Sequence, residues 1–191
     1  LGSGSKAANY TITFNSANAA MGITARPIYI SADSSQTKIY GNADPSLTYS
    51  VQAKATGSGL LGTDSVTVTG SVSRAAGENV GSYAIGQNTV AASGTKASNY
   101  SISYTGANFA ITARPITLTA SSATKVYGEV DPSLAVTVTS GSLASVAVTD
   151  TLASVTGTLS RSAGEDVGNY NILLGSGSKA ANYTITFNSA N

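Results

Sequence analysis

The 191 residues carry a formal net charge of +1, with charged side chains at only 10% and no His, Cys or Trp. Those absences remove Ser-His-Asp triads, Cys-His pairs and ordinary zinc sites, and the thinly spread charge supplies no basic run for a nucleic-acid backbone. No apolar stretch reaches the length of a membrane-spanning helix, so neither nucleic-acid binding nor membrane insertion is expected.

Gly, Ala, Ser and Thr dominate the composition, so the ten Tyr must share the packing with Val, Ile and Leu. Lack of Cys suits either a reducing cytosol or an exported surface chain that avoids stray disulfides. The opening segment Leu1–Asn18 returns without substitution as Leu174–Asn191. An excerpt of a longer repetitive protein would re-enter its own beginning in this way, which makes residues 1–26 the expected C-terminal fragment of a preceding module.

Apolar residues alternate along nearly the whole chain, and no segment shows an apolar period of 3.6 residues; short antiparallel strands are the reading throughout. Met21 and Ile23 fall on odd positions before Arg26-Pro27, whereas Ile28 and Ile30 fall on even positions after it. The inward face therefore changes at the proline, which also lacks a ladder donor, and the pair reads as a module boundary. Lys38–Tyr40 continues as strand and ends at Gly41, with Lys38 on the Tyr40 face; Asp44-Pro45 is expected to set a type I turn before Leu47 rejoins the sheet.

Val66, Val68 and Val72 share a strand face, and the strand ending at Arg74 reverses through Ala76-Gly77-Glu78 so that Val80 and Tyr83 return inward. A tyrosine shortly after a Gly at a strand entrance, as at Gly81 and Tyr83, resembles the tyrosine corner of immunoglobulin-like sandwiches. Asn99–Tyr104 is the next strand, followed by an expected turn at Thr105–Asn108 and a closing hairpin strand with Phe109 and Ile111 inward. At Arg114-Pro115 the face changes again, to Ile116 and Leu118, and no Gly/Ser linker intervenes.

The second half repeats the first: Ile23–Leu47 returns as Ile111–Leu134, Ser73–Tyr83 as Ser160–Tyr170, and Asn99–Tyr104 as Asn182–Phe187. Two modules of about 85 to 90 residues thus lie in tandem. The expected division is 27–114 for the first and 115–191 for the second, the latter lacking its closing strand. Its missing partner is matched by "MGITA" at Met21–Ala25, so head-to-tail self-association by strand addition is expected.

Tyr40, Gly41, Asp44, Pro45, Arg74, Gly77, Glu78, Gly81 and Tyr83, in this order and spacing, resemble the MBG (mostly beta, glycine-rich) domain of the YGX type. The second module is similar at Tyr127, Gly128, Asp131, Pro132, Arg161, Gly164, Glu165, Gly168 and Tyr170. The resemblance implies an all-β module repeated in large bacterial surface adhesins as a structural stalk, with neighbouring repeats of the same chain as its partners and with no catalytic residue and no cofactor. Fold alternatives are an Ig-like sandwich of antiparallel strands, which is favoured, and a β-grasp-like unit with a short helix near Ser145–Ser154.

Four chemical readings stand beside the stalk. Asp44 with Glu78, and Asp131 with Glu165, are the recurrent carboxylates that remain for a glycosidase-like pair, or else turn formers beside Pro and Gly. Glu129, Asp131, Glu165 and Asp166 supply oxygen ligands for calcium if their turns are neighbours, or stay solvated. Lys38 and Lys125 suit an intramolecular Lys-Asn isopeptide bond. Asn9, Asn99 and Asn182 begin glycosylation sequons at one repeat position, where Asn also serves a turn. Arg74–Glu78 and Arg161–Glu165 are expected to pair across their own turns. A binding module contacting a glycan, a partner surface or another copy of itself is the alternative to the stalk.

Overall fold

The computed structural model describes Thr11 and residues 20–189. Alternation builds the first strand, β1 (Arg26–Ala32): Ile28, Ile30 and Ala32 are buried while Tyr29 and Ser31 face out. Each fully buried Ile contributes about 1.5–3 kcal/mol of transfer free energy, so truncating Ile28 or Ile30 opens the centre of the module. The chain continues through β2 (Thr37–Ile39), β3 (Tyr49–Val51), β4 (Thr67–Thr69), β5 (Ser73–Arg74), β6 (Gly81–Gly86), β7 (Ala91–Ser93), β8 (Tyr100–Thr105) and β9 (Ala107–Thr112). The second module follows with β10 (Arg114–Ala120), β11 (Val136–Gly141), α1 (Leu152–Thr156), β12 (Ser160–Arg161), β13 (Ile172–Leu173) and β14 (Tyr183–Asn188).

The first module holds a sheet ordered β3-β1-β8, a second ordered β2-β9-β6-β5, and the two-stranded β4-β7. The second module repeats the first of these as β11-β10-β14 and adds β12-β13. The class is all-β. Most ladders are antiparallel, but β1 with β8, β10 with β14 and β2 with β9 run parallel. Each parallel partner comes from far along the chain, so no local turn announces it. The α-helix is a single capped turn: Thr151 and Ser154 form a reciprocal capping box, and Gly157 ends it at φ +65°.

Three local expectations are corrected. Thr105–Asn108 is not a hairpin turn: β8 and β9 belong to different sheets, and the chain changes sheet at Gly106, where a β-carbon would stand 2.9 Å from the Ile85 carbonyl oxygen. Asp44-Pro45 forms no turn; the Asp44 carboxylate reaches Lys38 and Arg74 instead of capping its own backbone. Val80 is exposed rather than in the core, because it lies in the β5–β6 connection, just before the strand begins at Gly81.

The face change at Arg114-Pro115 is present. Phe109 and Ile111 are buried in β9, Ile116 and Leu118 in β10, and Ala113 alone separates the two strands. One contiguous apolar cluster runs from Ile28 and Ile30 through Tyr40, Phe109 and Tyr183 to Ile116, Leu118 and Val155, so the core crosses from one repeat into the next. Ala120, Val136 and Ile172 form a smaller cluster at the far end.

Candidate functional site

Two constructions recur in both repeats, and a third exists where the repeats meet. The first is a ring of four charges. Lys38 Nζ donates to Asp44 Oδ1 at 2.6 Å and to Glu78 Oε2 at 2.5 Å, while Arg74 donates through Nε and Nη2 to Asp44 and through Nη2 to Glu78. Lys125, Asp131, Arg161 and Glu165 repeat the ring with Lys125–Asp131 at 2.8 Å and Arg161 Nε–Asp131 at 2.8 Å. The pairs Arg74–Glu78 and Arg161–Glu165 thus form as expected, within larger networks. Arg74 also lies over the rings of Tyr83 and Phe109, and Arg161 over Tyr170.

The ring settles the protonation of its members. Arg74 and then Lys38 hold Asp44 below the ordinary carboxylate range. Burial alone would raise Glu78, but Lys38 and Arg74 together outweigh it and leave it lowered. Arg161 and then Lys125 pull Asp131 down to about 2. Burial alone would lower Lys38; the two carboxylates reverse that and raise it. A carboxyl held ionised by two cations is a poor proton donor near neutrality, and each recurrent acid here is a partner in such an ion pair.

The same geometry places the remaining candidates. Of the four acids offered to calcium, Asp131 and Glu165 converge on Lys125 and Arg161, whereas Glu129 meets Lys125 through its backbone carbonyl and Asp166 receives the Tyr170 hydroxyl on its own. Among the described residues no group of three or more acids converges as a metal cage would require. Lys38 touches carboxylates, not an Asn side chain. Asn99 is exposed and Asn182 buried, and Asn9 lies outside the described residues.

The second construction is the tyrosine corner. Tyr83 Oη donates to the Asn79 carbonyl and Tyr170 Oη to the Asp166 carbonyl, both at 2.7 Å. Gly77 at φ +137° and Gly164 at φ +141° let the ring pack flat on the reversal; a β-carbon at either would stand 2.3 Å from the tyrosine Cε1. This explains why Gly precedes the Glu of each ring: the glycine admits the tyrosine that fixes the loop carrying the acid.

The third construction is the junction. The Tyr40 hydroxyl donates to Asp150 Oδ2 at 3.0 Å, beside the Tyr183 hydroxyl at 2.8 Å, and the two rings meet edge to face with centroids 5.5 Å apart. Burial and then Asp150 push the Tyr40 phenol up to about 12. Arg114 Nε donates to the Tyr40 carbonyl at 2.8 Å and Nη2 to Asn42 Oδ1 at 2.5 Å. Asn182 accepts from the Val80 N–H at 2.8 Å and donates to Asn79 Oδ1 at 3.1 Å. Ala147 N–H donates to the Gly41 carbonyl at 3.1 Å. Asn182 is therefore a junction residue, which removes its side chain from the position a sequon needs.

Sequence reasoning reached Arg114 as a boundary marker but missed its clamp, and missed Asp150 and Ala144 altogether. A signal exists in the first module: Tyr100 donates to Asp64 Oδ2 at 2.9 Å and receives Leu61 N–H at 3.1 Å, as Tyr183 does with Asp150 and Ala144. The loops carrying these residues differ in length and sequence, which hides the correspondence.

Two all-β repeats, each carrying an ion-pair ring and joined through a polar junction, define a tandem-repeat module. The chain belongs to the MBG domain (YGX type) family, whose model matches residues 28–110 and again residues 116–191. Membership makes it a pair of repeat modules of the kind carried by surface proteins. No curated protein and no solved structure matches the sequence.

Proposed function

We propose that this pair of modules is a stalk segment of a repetitive bacterial cell-surface adhesin, extracellular and without enzymatic activity or cofactor, whose role is to project a distal binding domain. The observation that carries this reading is the junction: β9 passes into β10 through Ala113 alone, and Arg114, Asn182, Asp150 and the Gly41 carbonyl tie the two repeats across it. A connection in which one strand leads into the next through a single residue, with side-chain ties across it, resists bending, so adding modules adds reach. The recurrent charged groups support the same reading, because each is satisfied by its neighbours within its own module.

Small-angle scattering from the 191-residue chain, with residual dipolar couplings to fix the angle between modules, tests it. The expected result is a rod-like particle with one dominant intermodule orientation. A compact particle or a wide spread of angles would remove the basis for a stalk.

A further inference from the structure

The two modules differ most where β9 lies in the first. There β9 sits between β2 and β6, with Thr37 opposite Ala110, Lys38 opposite Ile111, Ser82 opposite Ala110 and Tyr83 opposite Phe109. In the second module, residues 121–126 form no strand, the β6-equivalent shrinks to Ile172–Leu173, and a cavity of about 270 Å³ opens between them. Thr124, Lys125, Tyr127, Gly168, Asn169 and Tyr170 line it, the repeats of the residues that border β9 and its end in the first module. The charge ring beneath is correspondingly open: the Lys side chain is 3% exposed at Lys38 but 21% at Lys125. Among the lining residues Tyr127 is 70% exposed and Val167 93%, whereas Tyr40, the repeat of Tyr127, is fully buried at the junction.

The same chain holds a segment that matches the vacancy. "MGITA" at Met21–Ala25 aligns with "FAITA" at Phe109–Ala113, both followed by Arg-Pro, and it lies outside every ladder with Met21 88% and Ile23 89% exposed. We infer that a second copy of this chain fills the groove, its Met21–Ala25 strand entering between residues 124–126 and 168–170 of the first copy. The register follows from β9: Ile23 opposite Lys125 and Gly168, Gly22 opposite Thr124 and Asn169, Met21 opposite Tyr170 and under the Arg161 guanidinium.

The strand runs straight into β1, so its entry seats the donor's first module on the acceptor's far end as the second module sits on the first. Charge favours that seat. Arg114 reaches a neutral Asn42 across the existing junction; Arg26 of the arriving copy, whose Nε and Nη2 donate to the Gly59, Ala55 and Ser58 carbonyls of its own module, brings its positive charge to Glu129 at the repeated position. Asn99 of the arriving copy, which repeats Asn182, meets Asp166 where Asn182 meets Asn79. The acids of the second module, at positions where the first carries Asn, are thus matched to the face that follows them. This inference deepens the stalk reading by naming the partner surface of the module end, and it stands or falls separately, since a stiff pair of modules need not associate.

Sedimentation velocity over a concentration series tests it on the intact chain. End-to-end association is expected, weakened at least tenfold by Ile23→Asp, strengthened severalfold by Met21→Phe, weakened by Glu129→Arg and restored when Glu129→Arg and Arg26→Glu chains are mixed. Ile23 and Glu129 are outside the packed core, and circular dichroism verifies that each variant folds. Because the chain has no Cys, Gly22→Cys and Asn169→Cys chains mixed under a mild oxidant report the register directly as a disulfide-linked heterodimer. A chain that stays monomeric, association indifferent to Ile23→Asp, or binding of a peptide of residues 19–27 without self-association of the chain would each overturn the second copy as occupant.

Discussion

Gly41 lies against Ala144 so closely that a β-carbon on the glycine would stand 2.3 Å from Ala144 Cβ and 3.0 Å from its Cα. The repeat of Gly41 is Gly128, with a similar φ of +89° but nothing within 4 Å. The pair separates backbone strain from junction packing. Gly128→Ala is expected to cost roughly 1 kcal/mol, the penalty of a left-handed conformation, with no change between modules. Gly41→Ala adds a wedge at backbone distance and is expected to cost a further ~1–3 kcal/mol. Chemical denaturation measures the costs, and the intermodule angle in solution moves only for Gly41→Ala.

Lys38 and Lys125 hold equivalent places in equivalent rings and differ in what covers them. Lys38→Met keeps the stem and removes the charge, leaving Asp44 and Glu78 to Arg74 alone in a site whose lysine side chain is 3% exposed. The carboxylates left behind are partly exposed and keep Arg74, so the expected loss is about 1.5–3 kcal/mol, the worth of hydrogen bonds to charged groups. Lys125→Met acts in an open ring, where water replaces the lost partner, and is expected to cost ~1 kcal/mol or less. Equal losses in the two variants would contradict the role given to β9 in covering the first ring.

Acid sensitivity follows from the same groups. Folded Asp131 is pulled down to about 2, and Asp44, Glu78 and Glu165 are all lowered. The unfolded chain binds those protons first, at the ordinary carboxylate values near ~4, so the stability these groups contribute is intact above that range and drains as pH falls toward 2. Melting temperature recorded from pH 6 to pH 2 is expected to stay level and then fall. Molar salt should shrink the drop in the exposed second ring more than in the first.

The elements that the sequence displays are those governed by local rules. Ile28, Ile30, Phe109 and Ile111 alternate, and Pro115 marks a change of face, so strand identity and the strand-to-strand junction could be read before any coordinates. Lys38 on the Tyr40 face likewise pointed inward, where it is found. Parallel pairing of β1 with β8 could not be read, because Arg26 and Tyr100 meet only after the intervening chain has folded. Asp44-Pro45 carries a turn composition, yet Lys38 and Arg74 compete for its carboxylate and win. The junction was partly legible: the Arg-Pro pair repeats, but Asp150 sits in a loop whose counterpart around Asp64 shares only the hydrogen bonds.

Asp150 accepts hydroxyl donors from both sides of the junction, Tyr40 from the first module and Tyr183 from the second. Its effect on stability is therefore shared rather than additive. Tyr40→Phe removes one donor and leaves Asp150 bonded to Tyr183, an expected loss of about 1.5–3 kcal/mol for a hydrogen bond to a charged group. Asp150→Ala removes the acceptor of two buried hydroxyl protons at once, Tyr183 keeping only the Ala144 N–H, and is expected to cost more than Tyr40→Phe. Once Asp150 is gone, Tyr40→Phe deletes a hydroxyl with no acceptor, so the double variant should be no less stable than Asp150→Ala alone. A double-mutant cycle by urea denaturation reads this coupling directly. The phenol provides a second readout: Tyr40 raised to about 12 keeps its proton while the unfolded chain loses it near ~10, so stability present below pH 10 is lost as pH rises toward 12. Asp150→Asn, which keeps an acceptor and removes the negative charge, should lower the folded phenol, bring the upper end of that window down and shrink the alkaline loss. Simple additivity in the cycle, or an alkaline transition unmoved by Asp150→Asn, would show that the shared carboxylate does not couple the modules.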